Sequence, residues 1–162
     1  MQVGASNKVL VKFFVAAAIF LCWGVIQGAL QAQKPVHDFL QLGPAAIIVG
    51  AHTHINLLGW VSLSLAGLLY YLLPILTEKP IAAPKLINVI FWFWAIALPL
   101  MCLLMILAGI AGGNAFLKNP SASPDPVLMP YMIPIGMLSI ILGLTVVTFV
   151  IQILVSIGRK AK

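Results

Sequence analysis

Acidic side chains are almost absent from this chain, which has three Asp and Glu among its 162 residues. Charged residues of either sign make up 7% of the sequence, whereas 62% of the residues are hydrophobic. A soluble domain of this size could not cover its surface with so few polar groups. The composition therefore excludes a soluble globular domain and predicts an integral membrane protein.

Acidic residues, lysine and arginine are also missing from the middle of every long apolar run. Proton pumps and ion-coupled carriers depend on such groups inside the membrane, so the sequence argues against both functions. The two cysteines, Cys22 and Cys102, fall in different apolar runs. We expect them to act as small hydrophobic residues rather than to form a disulfide.

Four apolar runs are long enough to cross a membrane, which takes about 20 residues per helix. They cover residues 9–31, 44–76, 86–112 and 127–157. The length leaves room for little beyond these helices and short loops. We therefore expect an all-α fold, with one membrane domain over residues 1–162 built as a four-helix bundle.

Basic residues alternate between the two sides of this predicted bundle. Seven fall before the first run, between the second and third, and after the fourth: Lys8, Lys12, Lys79, Lys85, Arg159, Lys160 and Lys162. The other loops combine Lys34 and Lys118 with Asp38 and Asp125. The positive-inside rule then predicts a multi-pass protein of the bacterial inner (cytoplasmic) membrane, with both termini cytoplasmic. The net charge of +6 needs no nucleic-acid partner.

The segment VGAHTHINLLGW, Val49–Trp60, places His52, His54 and Asn56 inside the second run. Polar residues within a span are costly and are candidates for a functional role. Since each helical residue advances about 100°, the two histidines lie about 200° apart. They cannot bind one metal from the same helix, which excludes a local zinc or copper site with two histidines one turn apart.

The two sides of this helix differ in residue size. The His52 side continues through Asn56, Gly59 and Gly67, and its small residues let another helix or a flat ligand approach closely. The His54 side is bulky and apolar. Haem iron suits a neutral imidazole in an apolar site, and a second axial histidine must come from a facing helix. His37 lies in a loop, so another copy of the chain is the simplest source of that ligand.

Two other interpretations of the histidines stay open at this point. They serve equally well as interhelical hydrogen-bonding groups in a protein without a cofactor. They also suit a copper site in an oligomer, completed by methionine thioethers. The methionines available are Met101, Met105, Met129 and Met132.

The stretch AHTHINLLGWVSLSLAGLLYYLLP, Ala51–Pro74, resembles the large subunit of the haem-copper oxidase family, which includes cytochrome c oxidase and nitric oxide reductase. The resemblance to the family's A-H-x-H helix implies that His52 binds a high-spin haem and His54 a low-spin haem. The segment also resembles, through HINLL…YYLLP, the family's other helix, which supplies the second ligand of the low-spin haem. In that comparison His54 again corresponds to the ligand. The family's copper-site histidines and active-site tyrosine have no counterpart, which leaves open whether the chain is an enzyme.

The family's large subunit has twelve spans in three arcs of four, so the resemblance implies a chain equivalent to one arc. We expect a homotrimer, or alternatively a dimer, with haem b between His54 of one copy and His52 of the next. Electron transfer with quinol or a c-type cytochrome is the function this implies. Alternatives are a haem-based sensor or reductase of NO or O₂, and a cofactor-free accessory or assembly subunit of a respiratory complex.

Overall fold

The computed structural model describes residues 7–159, and all regular structure among these residues is helical. The all-α prediction is confirmed. Helix α1 covers Asn7–Gln31 and a short helix α2 covers Lys34–Leu40. The second span runs from Gly43 to Thr77. It consists of a 3₁₀ turn Gly43–Ala46, α3 Ile47–His54, a π-helix Ile55–Ser62 and α4 Leu63–Thr77. Helices α5 Lys85–Lys118 and α6 Asp125–Gly158 complete the chain.

Four of these elements, namely α1, the second span, α5 and α6, are long and apolar enough to cross a membrane, as the sequence predicts. Helices α5 and α6 have 34 residues each, which corresponds to a length of about 51 Å. The hydrocarbon core is about 30 Å thick, so both helices extend into the headgroup regions. Helix α5 ends at Lys118 rather than at residue 112, and α2 occupies a segment predicted to be a loop.

Consecutive spans are antiparallel neighbours, arranged in chain order as an arc. Helix α1 packs along the π-helix and α4, the first half of the second span packs on α5, and α5 packs along α6. Helix α6 otherwise makes few contacts. Accordingly, 44% of the most apolar stretch of α5 is buried within the protein, whereas only 22% of the corresponding stretch of α6 is buried. The second span and α5 therefore form the middle of the arc, and α1 and α6 form its flanks.

Asn7 and Gly158 lie at the same end of the bundle, which we call the basic end. Its basic residues are Lys8, Lys12, Lys79, Lys85 and Arg159. Lys160 and Lys162, which also belong to the predicted basic side, lie outside the described residues. The opposite end, which we call the α2 end, carries α2 and the α5–α6 loop. The grouping of basic residues at one end is thus a property of the fold.

Small residues bring α5 against the start of the second span near the α2 end. A Cβ atom added to Gly112 would lie 2.8 Å from the Cβ of Pro44. A Cβ atom added to Gly109 would overlap the side chain of Ile48. Close backbone approach through small residues is the usual way in which spans associate in lipid. The glycines of α5 therefore determine where the segment before the histidines lies.

Aromatic rings from all four spans meet towards the basic end. Phe13 of α1 contacts Tyr70 of the second span and Phe91 of α5, with ring centroids 5.7 and 5.0 Å apart. Phe149 of α6 contacts Tyr70 and Trp94 at 5.4 and 6.2 Å. Three of these pairs are edge-to-face and the Phe13–Phe91 pair is tilted, and such pairs add to the free energy of burial. This cluster connects all four spans at the basic end.

Polar side chains of α6 hold the loop between the second span and α5. The Tyr70 hydroxyl donates to Gln152 Oε1 at 2.7 Å. Gln152 Nε2 donates to the carbonyls of Ala82 and Ala83 at 2.7 and 3.0 Å, and the Ala82 N–H donates to Ser156 Oγ. Ala83 has a φ of 45°, a left-handed conformation that costs about 1–2 kcal/mol for a residue with a Cβ. The bonds to Gln152 stabilise this turn.

Replacing Gln152 by leucine tests this connection. The substitution leaves the Tyr70 hydroxyl and two carbonyls without their partner, and hydrogen bonds in membrane proteins are each worth about 0.6–1.7 kcal/mol. We expect the thermal unfolding midpoint of the detergent-purified protein, followed by circular dichroism, to fall by several degrees.

The control for this substitution is Thr148→Val, because the Thr148 hydroxyl bonds only to Leu144 of its own helix. This variant is expected to unfold close to the parent protein. Equal midpoints for Gln152→Leu and the parent would contradict the assigned role of Gln152.

Candidate functional site

The two histidines end α3 and lie immediately before the π-helix Ile55–Ser62. A π-helix is a widened turn that misaligns carbonyl groups, and such segments occur frequently at functional sites. Here side chains donate to two of the carbonyl groups of this segment. Ser62 Oγ donates to the Leu57 carbonyl at 2.8 Å, and Trp94 Nε1 of α5 donates to the Leu58 carbonyl at 3.1 Å. These bonds stabilise the irregular segment inside the membrane, where water is not available.

His52 and Asn56 face α1 of the same chain. A Cβ atom added to Gly28 would lie 2.9 Å from His52 Cε1, and one added to Gly24 would overlap the side-chain amide of Asn56. Asn56 Nδ2 donates to the backbone carbonyl of His52 at 2.9 Å and lies 3.3 Å from its ring Nδ1. Both side chains are half-buried. The two glycines, spaced as G-x-x-x-G, therefore make the room that His52 and Asn56 occupy.

Gly59 and Gly67 continue the His52 side of the second span, as the helical spacing predicts. Cβ atoms added to them would each lie 2.9 Å from a phenylalanine Cβ of α1, that of Phe20 for Gly59 and that of Phe13 for Gly67. The space beside these glycines is thus filled by α1. Gly59 and Gly67 therefore allow a close approach, and within the described chain the approaching element is helix α1.

His54 points to a different side of the second span. Its Nδ1 lies 2.7 Å from the carbonyl oxygen of Gly50. Because a carbonyl only accepts hydrogen bonds, Nδ1 is the donor of this contact, which leaves Nε2 as the nitrogen able to bind a metal. No hydrogen bond to Nε2 occurs among residues 7–159. This is the arrangement that prepares a histidine to bind a metal through Nε2.

The surface around His54 is exposed and apolar. Val61, Leu65 and Leu68, which ordinary helical spacing groups with His54, are 37, 52 and 41% exposed, and His54 itself is half-buried. The Met105 methyl of α5 lies beside Gly50 and borders this surface. A flat apolar ligand or another chain can thus approach His54. At His52 the same approach is blocked by α1.

A polar seam between α1 and the second span is a feature that the sequence interpretation missed. Gln27 Nε2 and Gln31 Nε2 donate to the carbonyl of Ile48 at 3.2 and 3.3 Å. Trp23 Nε1 donates to Gln27 Oε1 at 3.1 Å. Gln27 is 8% exposed. The sequence does contain a signal for these polar contacts. Four small or polar residues lie on one stripe of α1: Gly24, Gln27, Gly28 and Gln31.

The remaining candidate ligands are not gathered around the histidine pair. Within residues 7–159, no three His, Cys, Asp or Glu side chains are close enough to hold a metal ion. His37 is exposed on α2 and lies beside Gln41. Met101 is buried and accepts from Ser139 of α6, while Met129 and Met132 are exposed. Met105, by contrast, has its methyl group beside Gly50, whose carbonyl contacts His54.

Family membership follows from a match over most of the chain. The sequence model described as cytochrome c and quinol oxidase polypeptide I matches residues 2–145. The chain belongs to this family. Members of this family are membrane-embedded subunits of respiratory complexes, and the family binds haem.

A curated relative of the polypeptide I family has similarity over the same region. This relative, a nitric oxide reductase subunit of Stutzerimonas stutzeri, is 29% identical to this chain over 143 residues. The alignment covers 85% of this chain and 30% of the relative. The chain thus spans about a third of the length of this relative.

The two histidines of this polypeptide I homologue are not equally well arranged to bind haem iron. The imidazole of His54 is half-buried and contacts the Gly50 carbonyl through Nδ1, which leaves Nε2 for a metal. The ring of His52 is held between Gly28 and Asn56. His54 is therefore the better-prepared ligand of the two.

The packing beside His52 is tested by replacing Gly24 with alanine. The added methyl group would displace the Asn56 amide and break its bond to the His52 carbonyl, and overpacking typically costs about 1–3 kcal/mol. We expect the unfolding midpoint in detergent to fall by several degrees.

Gly143→Ala is the matched control, because a Cβ atom added to Gly143 of α6 meets nothing within 4 Å. Alanine is the better helix former, so this variant is expected to be at least as stable as the parent. A Gly24→Ala protein as stable as Gly143→Ala would refute the close approach of α1.

Proposed function

We propose that this protein is a membrane b-type haem protein that transfers electrons, with His54 as an axial ligand through Nε2. The observation that carries the proposal is the 2.7 Å bond between His54 Nδ1 and the Gly50 carbonyl. This bond orients the ring and determines which nitrogen has the lone pair. When bound, haem supplies one-electron redox chemistry between ferrous and ferric iron. The family membership of the chain supports haem as the ligand.

The second axial ligand in this proposal is His52 of a neighbouring copy. Helix α3 ends with the two histidines on different sides, so each second span borders two neighbours in a ring of copies. His54 lies on the exposed apolar side, to which a partner has access. His52 is half-buried at the seam with α1, and its ring must turn outward from Gly28 to reach a partner. Asn56, Gly59 and Gly67 keep the second span tightly packed on α1 while this ring turns.

A homotrimer is the assembly that we propose for this ring. The chain covers 30% of the relative's length, and its four spans form an arc. Three such arcs are needed to approximate the size of the full-length subunit. The basic end would face the cytoplasm of a bacterial inner membrane, following the positive-inside rule. Quinol or a c-type cytochrome would then be the redox partner.

Single substitutions of the histidines test the axial ligands. We expect the haem content of purified His54→Ala, measured by pyridine haemochrome, to fall at least tenfold. His52→Ala is expected to lose the spectrum of a six-coordinate, bis-histidine haem and to retain part of the pigment. Both variants must keep the helical circular dichroism of the parent.

Thr53→Ala is the control for both variants. Thr53 lies between the histidines, is exposed, and bonds only to the Val49 carbonyl of its own helix. Its haem spectrum should match that of the parent protein. The ligand assignment fails if both histidine variants keep the full bis-histidine spectrum.

Addition of carbon monoxide to the reduced protein separates electron transfer from gas chemistry. With both ligand positions of the iron filled by histidine, the Soret band is expected not to shift when CO is added. A full shift to a CO-bound spectrum would instead indicate the sensor or reductase of NO or O₂. Mass on a sizing column, measured on the same sample, distinguishes a trimer from a dimer.

A cofactor-free accessory subunit is the second candidate function, and one observation favours it. Among the described residues, every buried side-chain nitrogen and oxygen has a hydrogen-bond partner within the chain, so the fold is complete without a ligand. A colourless protein after expression with added haem precursor, still folded by circular dichroism, would support this candidate and exclude the haem proposal.

A further inference from the structure

A groove runs between α1 and α5 on the side of the bundle away from α6, near the basic end. Its volume is about 440 Å³. Its apolar walls are formed by Val15, Ala16 and Ile19 of α1 and by Phe91, Trp92 and Ala95 of α5. Val15, Ile19 and Trp92 are 53, 60 and 49% exposed, so the groove opens towards the membrane. Its shape and lining suit a hydrocarbon chain lying along the spans.

Lys12 is the cationic side chain among the described residues that line this groove. Its Nζ donates to Asn88 Oδ1 of α5 at 3.1 Å and lies 5.5 Å from the centroid of the Trp92 ring. A second ring, that of Phe91, is 6.0 Å away. The ammonium group is therefore held over the groove rather than extended into water.

The charge of Lys12 is not neutralised locally by acidic side chains. The chain has three such residues. Asp38 pairs with Lys34 at the α2 end, and Asp125 begins α6 at that same end. Glu78 lies in the loop at the basic end, where it is exposed among lysines. The groove thus has an apolar lining and a positive charge, that of Lys12, that no nearby acidic side chain neutralises.

We propose that this groove binds an anionic phospholipid, with one acyl chain along α1 and α5 and the phosphate against Lys12 and Asn88. Apolar walls bury the chain, and Lys12 supplies the opposite charge that a phosphate requires. The amide of Asn88 provides a further hydrogen-bond donor to a phosphate oxygen. A zwitterionic lipid would place its own cation beside the basic end, so the anionic headgroup is preferred. The proposal is independent of haem.

Quenching of tryptophan fluorescence by brominated lipid tests this site. The protein is reconstituted in vesicles of phosphatidylcholine that contain a minor fraction of phosphatidylglycerol, with bromine on the acyl chains of one lipid or the other. Trp92 lines the groove, so its emission reports a chain bound there. The difference between the parent and Trp92→Phe isolates this emission from that of Trp23, Trp60 and Trp94.

Brominated phosphatidylglycerol is expected to quench Trp92 about fivefold more effectively, per mole fraction, than brominated phosphatidylcholine. Such a ratio corresponds to one lysine acting near a membrane surface. Lys12→Gln should reduce the ratio to about one. Ala16→Phe fills the groove and should abolish specific quenching of Trp92 while leaving Lys12 in place. Circular dichroism shows whether each variant is folded.

Lys8→Gln removes an equal charge one helical turn earlier, at an exposed position on the same end, and should keep the preference. Three outcomes would overturn the proposal. One is equal quenching by the two lipids in the parent protein. Another is an equal loss of preference in Lys8→Gln and Lys12→Gln, which would indicate diffuse surface charge. The third is undiminished quenching in a folded Ala16→Phe protein.

Discussion

The carbonyl groups of the second span need hydrogen-bond partners in a region without water, and this need organises the bundle around the histidines. Helix α1 supplies Gln27 and Gln31 to the Ile48 carbonyl. Helix α5 supplies Trp94 to the Leu58 carbonyl. His54 itself is oriented by the carbonyl of Gly50. Bonds from α1 and α5 therefore join the second span on both sides of the histidine pair, at Ile48 before it and at Leu58 after it.

The two ends of the bundle are built for different purposes. Near the basic end, aromatic rings from all four spans and the bonds of Gln152 to the loop close the arc. Near the α2 end, glycines bring helices together and leave polar groups between α1 and the second span. Rigid packing at one end and a polar seam at the other suit a site in which a histidine must keep a fixed orientation.

Much of the fold could be predicted because hydropathy is a local property. Runs of apolar residues indicated all four spans, and the 100° helical step placed His52 and His54 on different sides, which holds since both precede the π-helix. The π-helix itself left no periodic signal, because Asn56, Gly59 and Leu63 also fit ordinary helical spacing. The short helix α2 was missed because it is too short and polar for a hydropathy signal.

By itself, the sequence determined that the chain has four helices long and apolar enough to cross a membrane. It also determined that two imidazoles and an amide lie within the second of them, since composition and spacing are properties of each segment alone. Only the tertiary structure decided that His52 is covered by Gly28 of α1 while His54 stays accessible, and that Lys12 stands over a groove against α5. These features depend on which helices are neighbours, and that is determined by packing between residues far apart in the chain.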